Sequence, residues 1–340
     1  MAIEAVDLPD FARKAINLAS AGLGARPVFA TDEFFAPLER LLQDCPAVFH
    51  PGVYDDHGKW MDGWETRRRR GPGHDHAIVA LAASGQIAGF DVDTAHFTGN
   101  YPSACAIDAC LAPGGPDETT VWTELLCTSP LGPSAHHFFP ARVEGVWSHV
   151  RLRIYPDGGI ARLRVYGTPE LDLSRFGDEA VDLASSLLGG RIVAFSNGHY
   201  GHQRLLAPGP AINMGDGWET RRRREPGNDW IIVHLAARTS IERVIVDTAH
   251  FKGNYPDACS VQAADLSEAE CAVDAAVTAS SLYWRDVLPR QQLSPDSIHD
   301  YGAGMIEDIG LATHVRLNIY PDGGVSRLRV FGRIAGAGTP

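Results

Sequence analysis

The sequence predicts an all-β protein made of two tandem jelly-roll β-sandwiches, with short N-terminal helices. Three observations carry this. The string Gly63-Trp64-Glu65-Thr66-Arg67-Arg68-Arg69-Arg70 returns letter for letter as Gly217 to Arg224, so one unit is written twice. Each unit contains short β-branched runs bounded by Gly and Pro, the mark of strands. No helical pattern lies between those runs, and a parallel α/β sheet would need one there. The first sandwich is expected over residues 1–168 and the second over 169–340.

Bulk properties agree with two soluble cores. A chain of 340 residues is long for one core and suits two. Its 44% hydrophobic and 21% charged residues describe a globular protein. A net charge of −12 argues against nucleic acid as a partner. Met1 to Asp7 carries acids and no basic start before an apolar run, so no secretory signal and a cytoplasmic location are expected. No stretch approaches the roughly 20 apolar residues of a membrane span. The six cysteines, Cys45, Cys105, Cys110, Cys127, Cys259 and Cys271, form no CxxC pair, and no disulfide framework is expected. Cys105 and Cys259 match between repeats and read as the same small buried residue twice.

Taken in order, residues 9–24 read as a helix, with Phe11, Ala15, Ile16, Leu18 and Ala19 near helical spacing and Gly22 and Gly24 as stops. Its echo begins near Arg175. Thr31-Asp32 then meets Ser196-Asn197, and Phe35 meets Tyr200. Residues 37–60, with Pro37, Pro46 and Pro51, read as a surface excursion. The spacing between matching letters shortens across it, so the first repeat carries extra residues there. Ala77 to Leu81 and Ile231 to Leu235 read as strands. Val92 to Pro102 returns as Val246 to Pro256 with one change, Lys252 for Thr98. The second repeat gains residues between Pro256 and Trp284. Each repeat then closes with an expected hairpin. His149 to Tyr155 alternates polar and apolar, Pro156-Asp157-Gly158-Gly159 supplies turn chemistry, and Ala161 to Gly167 alternates back. His314 to Gly332 repeats this pattern.

Polar letters are copied more faithfully than apolar ones, the reverse of what a core alone requires. If the strand runs on past Glu65, alternation puts Glu65, Arg67 and Arg69 on one face. Arg presents a planar fork suited to carboxylates; a locally paired, solvated charge run is the bland alternative. Asp93 and His96 could be an acid–base pair, two ligands of a metal with His137 as a third, or a turn cap and a structural ring. No cofactor is firmly implied, and a divalent metal is the one these residues leave open. Asn100 and Tyr101 lie on a loop with an amide and a phenol to offer. GxSxG, HExxH, a Walker loop and a GxGxxG are all missing from the sequence.

The strings GWETRRRR, DVDTAHFTGNYP and HVRLRIYPDGGIARLRVYG, each with its second copy, resemble the allantoicase family. The resemblance runs from about Ala30 to Gly332. It implies two sandwiches resembling galactose-binding-like domains, and an oligomer. It also implies a hydrolase of linear amidines that converts allantoate to ureidoglycolate and urea in purine breakdown. One departure is visible. The family usually has Trp where this chain has His76, whereas Trp230 is kept. On this resemblance Asp93 and His96, or Asp247 and His250, would transfer protons. Glu65 and His137, with Glu219 and His299, would orient water or substrate. Arg67 and Arg69, with Arg221 and Arg223, would bind the carboxylate. Asn100 and Tyr101, with Asn254 and Tyr255, would hold the ureido groups. The rival expectation is a non-catalytic jelly-roll module that binds a small ligand or sugar. A third is that one repeat works and the other is structural. Both repeats keep the polar set, so the letters do not choose.

Overall fold

The computed structural model describes residues 9–13, 15–170, 176–199, 201–267 and 274–335. It divides into two units, Met1–Glu170 and Leu171–Pro340. Among the described residues the first unit carries β1 (Ile16–Asn17), β2 (Arg26–Ala30), β3 (Tyr54–Asp55), β4 (Gly58–Lys59), β5 (Trp64–Glu65), β6 (Asp75–Asp93), β7 (Ala104–Cys110), β8 (Thr123–Pro130), β9 (His136–Pro140), β10 (Val146–Tyr155), β11 (Gly159–Ile160) and β12 (Arg162–Pro169). The second carries β13 (Val181–Asp182), β14 (Arg191–Phe195), β15 (Trp218–Glu219), β16 (Asp229–Asp247), β17 (Ala258–Ala264), β18 (Arg285–Gln292), β19 (Ile298–Tyr301), β20 (Leu311–Tyr320), β21 (Gly324–Val325) and β22 (Arg327–Ile334). Among the described residues no helix is long and apolar enough to cross a membrane.

The 19-residue strand β6 organises the first sandwich. Its first half pairs antiparallel with β10 and β2. Its second half pairs antiparallel with β12 and β9. The register with β10 jumps between Ala80 and Gly85. Inward residues keep one parity through Ala77, Val79, Leu81 and Ile87 and change to Phe90 and Val92 across a second register shift, with β12, between Ile87 and Gly89, as an extra residue in one strand requires. Val150, Leu152, Ile154, Leu163 and Val165 complete the core from β10 and β12. Each such side chain contributes about 1.5–3 kcal/mol by leaving water. The second sandwich repeats the order, with β16 joining β20 and β14 to β22 and β19.

Four expectations need correction. The helix over 9–24 shrinks to Asp10–Arg13. Ile16 and Asn17 pair instead with Gly167 and Tyr166, and Asn17 Oδ1 accepts the backbone N–H groups of Ala19 and Val165. A strand edge thus claims donors and acceptors that a helix would have used. The closing hairpin is an arch: β10 and β12 both pair with β6, β10 mainly along residues 75–80 and β12 along residues 85–93, and not with each other. The short β11 between them pairs with β5. The second repeat's added residues include a helix, Asp274–Ser280, where none was expected. Its Val277 packs with Ile232 and Trp284 on the outside of the sheet. The Trp230 ring belongs to this cluster too, while His76 at the matching place lies beside Phe29 and His74. The arginine run also departs from expectation, because β5 ends at Glu65 and no alternation continues beyond it. The start of the echo at Arg175, with Tyr200 and Cys271, lies outside the described residues; the rest of the echo forms β13 and a 3-10 turn at Ser186–Leu188, not a helix. None of the described cysteines is bridged, and Cys105 and Cys259 are both buried.

Candidate active site

The duplicated string is where core and cleft meet. Gly63 lies so close to the β11 backbone that a Cβ would stand 2.4 Å from the Ile160 carbonyl. Trp64 is fully buried, and its indole N–H donates to the Asp32 carbonyl at 2.8 Å. Trp218 does the same to Asn197. Thr66 Oγ1 accepts the Gly158 N–H at 3.1 Å. These bonds tie the string to the arch between β10 and β12 and to the loop after β2. They explain part of the polar identity between repeats as structure.

A cleft opens on the first repeat in two adjoining chambers that share Phe35, Glu65, Gly99 and Asn100. The smaller, of about 320 Å³, adds Lys59, Met61, His96 and Thr98. The larger, of about 1010 Å³, holds the whole run Arg67 to Arg70 together with Asp32, Asp75, Tyr101 and Asp157.

Glu65 sits where the chambers join. Asn100 Nδ2 donates to Glu65 Oε1 at 2.6 Å, which leaves Oε2 without a hydrogen-bond partner among the described residues. Burial pushes the Glu65 carboxyl above the ordinary range; the Asn100 hydrogen bond and the Lys59 charge pull down without cancelling it. Desolvation of this kind is how a carboxyl becomes suited to proton transfer near neutrality. His96 stands on the wall of the smaller chamber with a φ of 67°. Its Nε2 lies 3.1 Å from the Ala47 carbonyl. A carbonyl only accepts, so Nε2 carries the proton and Nδ1 is the acceptor of the neutral ring. His250 repeats both features, with a φ of 70° and Nε2 3.0 Å from the Ala211 carbonyl. Such left-handed backbone costs a non-glycine residue about 1–2 kcal/mol.

The geometry divides the arginines differently from alternation. Arg67 is spent on Asp32, which accepts its Nε at 2.7 Å and its backbone N–H at 2.9 Å. Burial pushes Asp32 up, but the Arg67 hydrogen bonds and charge and the Phe34 N–H outweigh it and hold the carboxyl below the ordinary range. Arg69 is spent on Asp75 Oδ1 at 3.1 Å and the His74 carbonyl at 3.0 Å. Arg223 is likewise spent on Asp229. Arg68 and Arg70 line the larger chamber, are exposed, and have no side-chain partner among the described residues. These two, and Lys59, are site residues that the sequence reasoning missed. The available signal was the pair of acids, Asp32 and Asp75, that could neutralise their neighbours.

Asp93 and His96 are not brought together. Asp93 Oδ1 accepts the Ala95 N–H at 2.7 Å and so closes the turn after β6. Its other oxygen lies 3.9 Å from His136 Nε2, with His136 Nδ1 2.8 Å from Asp91. Asp247 closes the same turn through Ala249. His137 is committed as well. The Gly132 N–H donates to its Nε2 at 2.8 Å, so Nδ1 carries the proton and donates to the Val92 carbonyl at 2.8 Å. His299 makes the equivalent bonds to Ser294 and Val246. Asp93, His96 and His137 therefore do not converge as metal ligands. Among the described residues no group of three His, Cys, Asp or Glu could hold an ion. Tyr101 is half-buried at the cleft edge and packs into the core. In the second repeat Asn254 Nδ2 donates to Glu219 Oε1 at 2.6 Å, and half-buried Tyr255 packs against that repeat's core. Arg221 keeps only a backbone bond, its N–H donating to Asn197 Oδ1 at 2.8 Å.

Comparison with known proteins agrees with this architecture. The family model described as "Allantoicase repeat" matches twice, over residues 16–170 and 181–335. A protein described as a probable allantoicase from Rhizobium meliloti (strain 1021) is 70% identical over 328 residues, 96% of each chain. Another so described, from Pseudomonas syringae pv. syringae (strain B728a), is 51% identical over 325 residues, 95% of this chain and 97% of that one. The crystal structure of allantoicase from Saccharomyces cerevisiae superposes with a TM-score of 0.78 at 33% identity, across 94% of this chain and 93% of that one. Two matched repeats, full-length relatives and a shared fold place the chain in the allantoicase family.

Proposed function

We propose that the protein hydrolyses allantoate to ureidoglycolate and urea, and that the cleft of the first repeat is where it does so. The observation that carries this is Glu65: a buried carboxyl, fixed by Asn100, in one cleft with the unpaired guanidinium groups of Arg68 and Arg70. Allantoate has a carboxylate and two ureido groups on a single carbon. Arg68 and Arg70 would take the carboxylate with their planar forks. Glu65 would accept a proton from water as its oxygen bonds to the central carbon. The same carboxyl would return that proton to the ureido nitrogen as the carbon–nitrogen bond breaks and urea leaves. One water is consumed, and atoms and charge balance. The Asn100 bond orients Glu65, and a fixed geometry removes part of the entropic barrier. We take the protein to act as a cytoplasmic homo-oligomer, a reading supported by its family.

The test is urea release from allantoate. The unaltered protein should turn allantoate over, and Glu65→Gln should lose about 10²–10⁴-fold, the usual weight of a general acid–base group. An equal loss in Glu219→Gln would mean that both repeats work. No urea release by the unaltered protein would leave a binding module instead.

A further inference from the structure

The first repeat owns a wall of its cleft that the second repeat lacks. The carbonyl that meets His96 belongs to Ala47, and the one that meets His250 belongs to Ala211. From there the first chain runs through residues 48–60 before regaining the shared path at Met61, and the second through residues 212–214 only. The longer path folds into the β3–β4 hairpin, whose register pairs Tyr54 with Lys59. The hairpin is anchored by His57, whose ring stacks on Phe34 at 4.5 Å. Lys59 lines the smaller chamber with Glu65, His96 and Asn100. Its Nζ stands 4.4 Å from the centre of the Phe49 ring, and the other partner of that ring is His96, stacked at 5.8 Å. Two residues of the insertion thus hold a cation and a cleft histidine in one stack. In the second repeat Met214 stands near Asn254 instead, its sulfur 3.8 Å from Nδ2.

We infer that Lys59, carried on the hairpin found in the first repeat, is a positioning residue for Glu65, and that its place there makes the first repeat the working one. This rests on the proposed role of Glu65 in proton transfer. A base must be ionised to accept a proton, and burial opposes that in Glu65. An ammonium sharing its chamber counters burial. The other charged or titratable groups that share the cleft are His96, Tyr101, Asp157 and the run 67–70 with its two acids, Asp32 and Asp75. Of these charges it is the Lys59 ammonium that draws the Glu65 carboxyl down, against burial.

The experiment compares Lys59→Met and Lys59→Arg in the full-length protein. Carbon-13 NMR of glutamate-labelled protein, with the Glu65 signal assigned by its absence in Glu65→Gln, follows the Glu65 titration without substrate. Lys59→Met should raise that midpoint by at least about half a pH unit, and Lys59→Arg should keep it. The acidic limb of kcat/KM for allantoate should move up by the same amount in Lys59→Met. The loss should reach roughly threefold or more at the low end and shrink as pH rises. A Glu65 midpoint that stays put in Lys59→Met overturns the inference, as does a loss equal at every pH. Because the NMR arm needs no turnover, failure of the allantoate reading and failure of this one are told apart.

Discussion

In the first repeat a carboxylate, Asp32, takes both the backbone and the side chain of Arg67. In the second the matching residue is Asn197, which keeps the backbone bond to Arg221 at almost the same length and leaves its guanidinium without a partner among the described residues. The same backbone therefore presents one arginine neutralised and one free. Other differences run the same way. Lys59, which lines the cleft, and Phe49, which its ammonium faces, lie on a stretch that the second repeat shortens to residues 212–214. The first repeat has Asp91 and His136 paired on the back sheet, where the second has Ile245 and Ile298. The repeats share bonds to backbone, from Trp64 and Trp218, Asp93 and Asp247, His137 and His299, and the carboxyl–amide pair as well, Glu65 with Asn100 and Glu219 with Asn254. Duplication has kept this frame and that pair, while residues present once, Asp32 and Lys59 among them, change the charge around it.

The strongest test of the shared frame is a buried ion pair. Arg162 has a fully buried side chain, and its Nη2 meets Asp62 Oδ2 at 2.7 Å. Arg327 meets Asp216 at the same distance. Each also donates to backbone carbonyls of the loop it pins, Arg162 to Cys45 and Arg327 to Pro210. Removing one partner leaves a buried charge without compensation, which costs about 3–5 kcal/mol. Arg162→Met and Arg327→Met should each lower the free energy of unfolding, measured by urea titration, by an amount in that range. Loss of activity should follow for Arg162→Met, because Asp62 and Met61 frame the loop behind Lys59. Equal stability loss with unequal activity loss would sharpen the division between the repeats; a negligible stability change in either would break the shared-frame argument.

Much of this was legible in the letters. The duplicated strings announced two sandwiches, and period-2 alternation announced β10 and β12. What letters could not show was which partner each strand takes. The stretch Pro156 to Gly159 reads as a hairpin turn because turn chemistry is local, whereas its strands diverge because β6 lies between them, with β12 on one side and β10 on the other. The helix over 9–24 failed for a related reason: Leu18 and Ala19 are buried at helical spacing, but the pairing of Ile16 with Gly167 is a contact no local pattern encodes. At the site, Glu65 and Asn100 were identified as polar letters, yet their bond joins residues far apart in the chain. Asp93 and His96 were close in sequence and looked paired, whereas the turn that Asp93 closes separates them. Arg67 and Arg69 drew attention as a pair on one face, and it was Asp32 and Asp75, read too lightly, that decided their use.

His137 and His299 make a middle-sized test. Each ring spends both nitrogens on backbone groups of two segments. His137→Ala should cost about 1–3 kcal/mol, the penalty for leaving partly buried backbone groups unpaired, and His299→Ala a similar amount. Urea release per folded molecule should change by less than about threefold in both. A hundredfold fall in turnover with unchanged midpoint in His137→Ala would return that ring to the chemistry and break the assignment.

The smallest effect is the most discriminating, because it exchanges the very residue that separates the repeats. Arg67 is largely exposed, with 63% of its side chain accessible, so its pair with Asp32 is screened and worth up to about 1 kcal/mol. Asp32→Asn should lose that amount at neutral pH, and Asn197→Asp should gain up to the same amount by capturing Arg221. The pH dependence fixes the cause. The folded carboxyl of Asp32 is held below the ordinary value, so its contribution is present above the unfolded pKa of about 3.9 and is lost as pH falls through the folded value. The stability difference between the unaltered protein and Asp32→Asn should therefore be constant from pH 6 to pH 8 and close as pH drops below about 4. The difference introduced by Asn197→Asp should close over the same window with the opposite sign. If instead the Asp32→Asn difference persists unchanged at pH 3, packing of the side chain and not its charge separates the two arginines, and the contrast between a neutralised and a free guanidinium loses its basis.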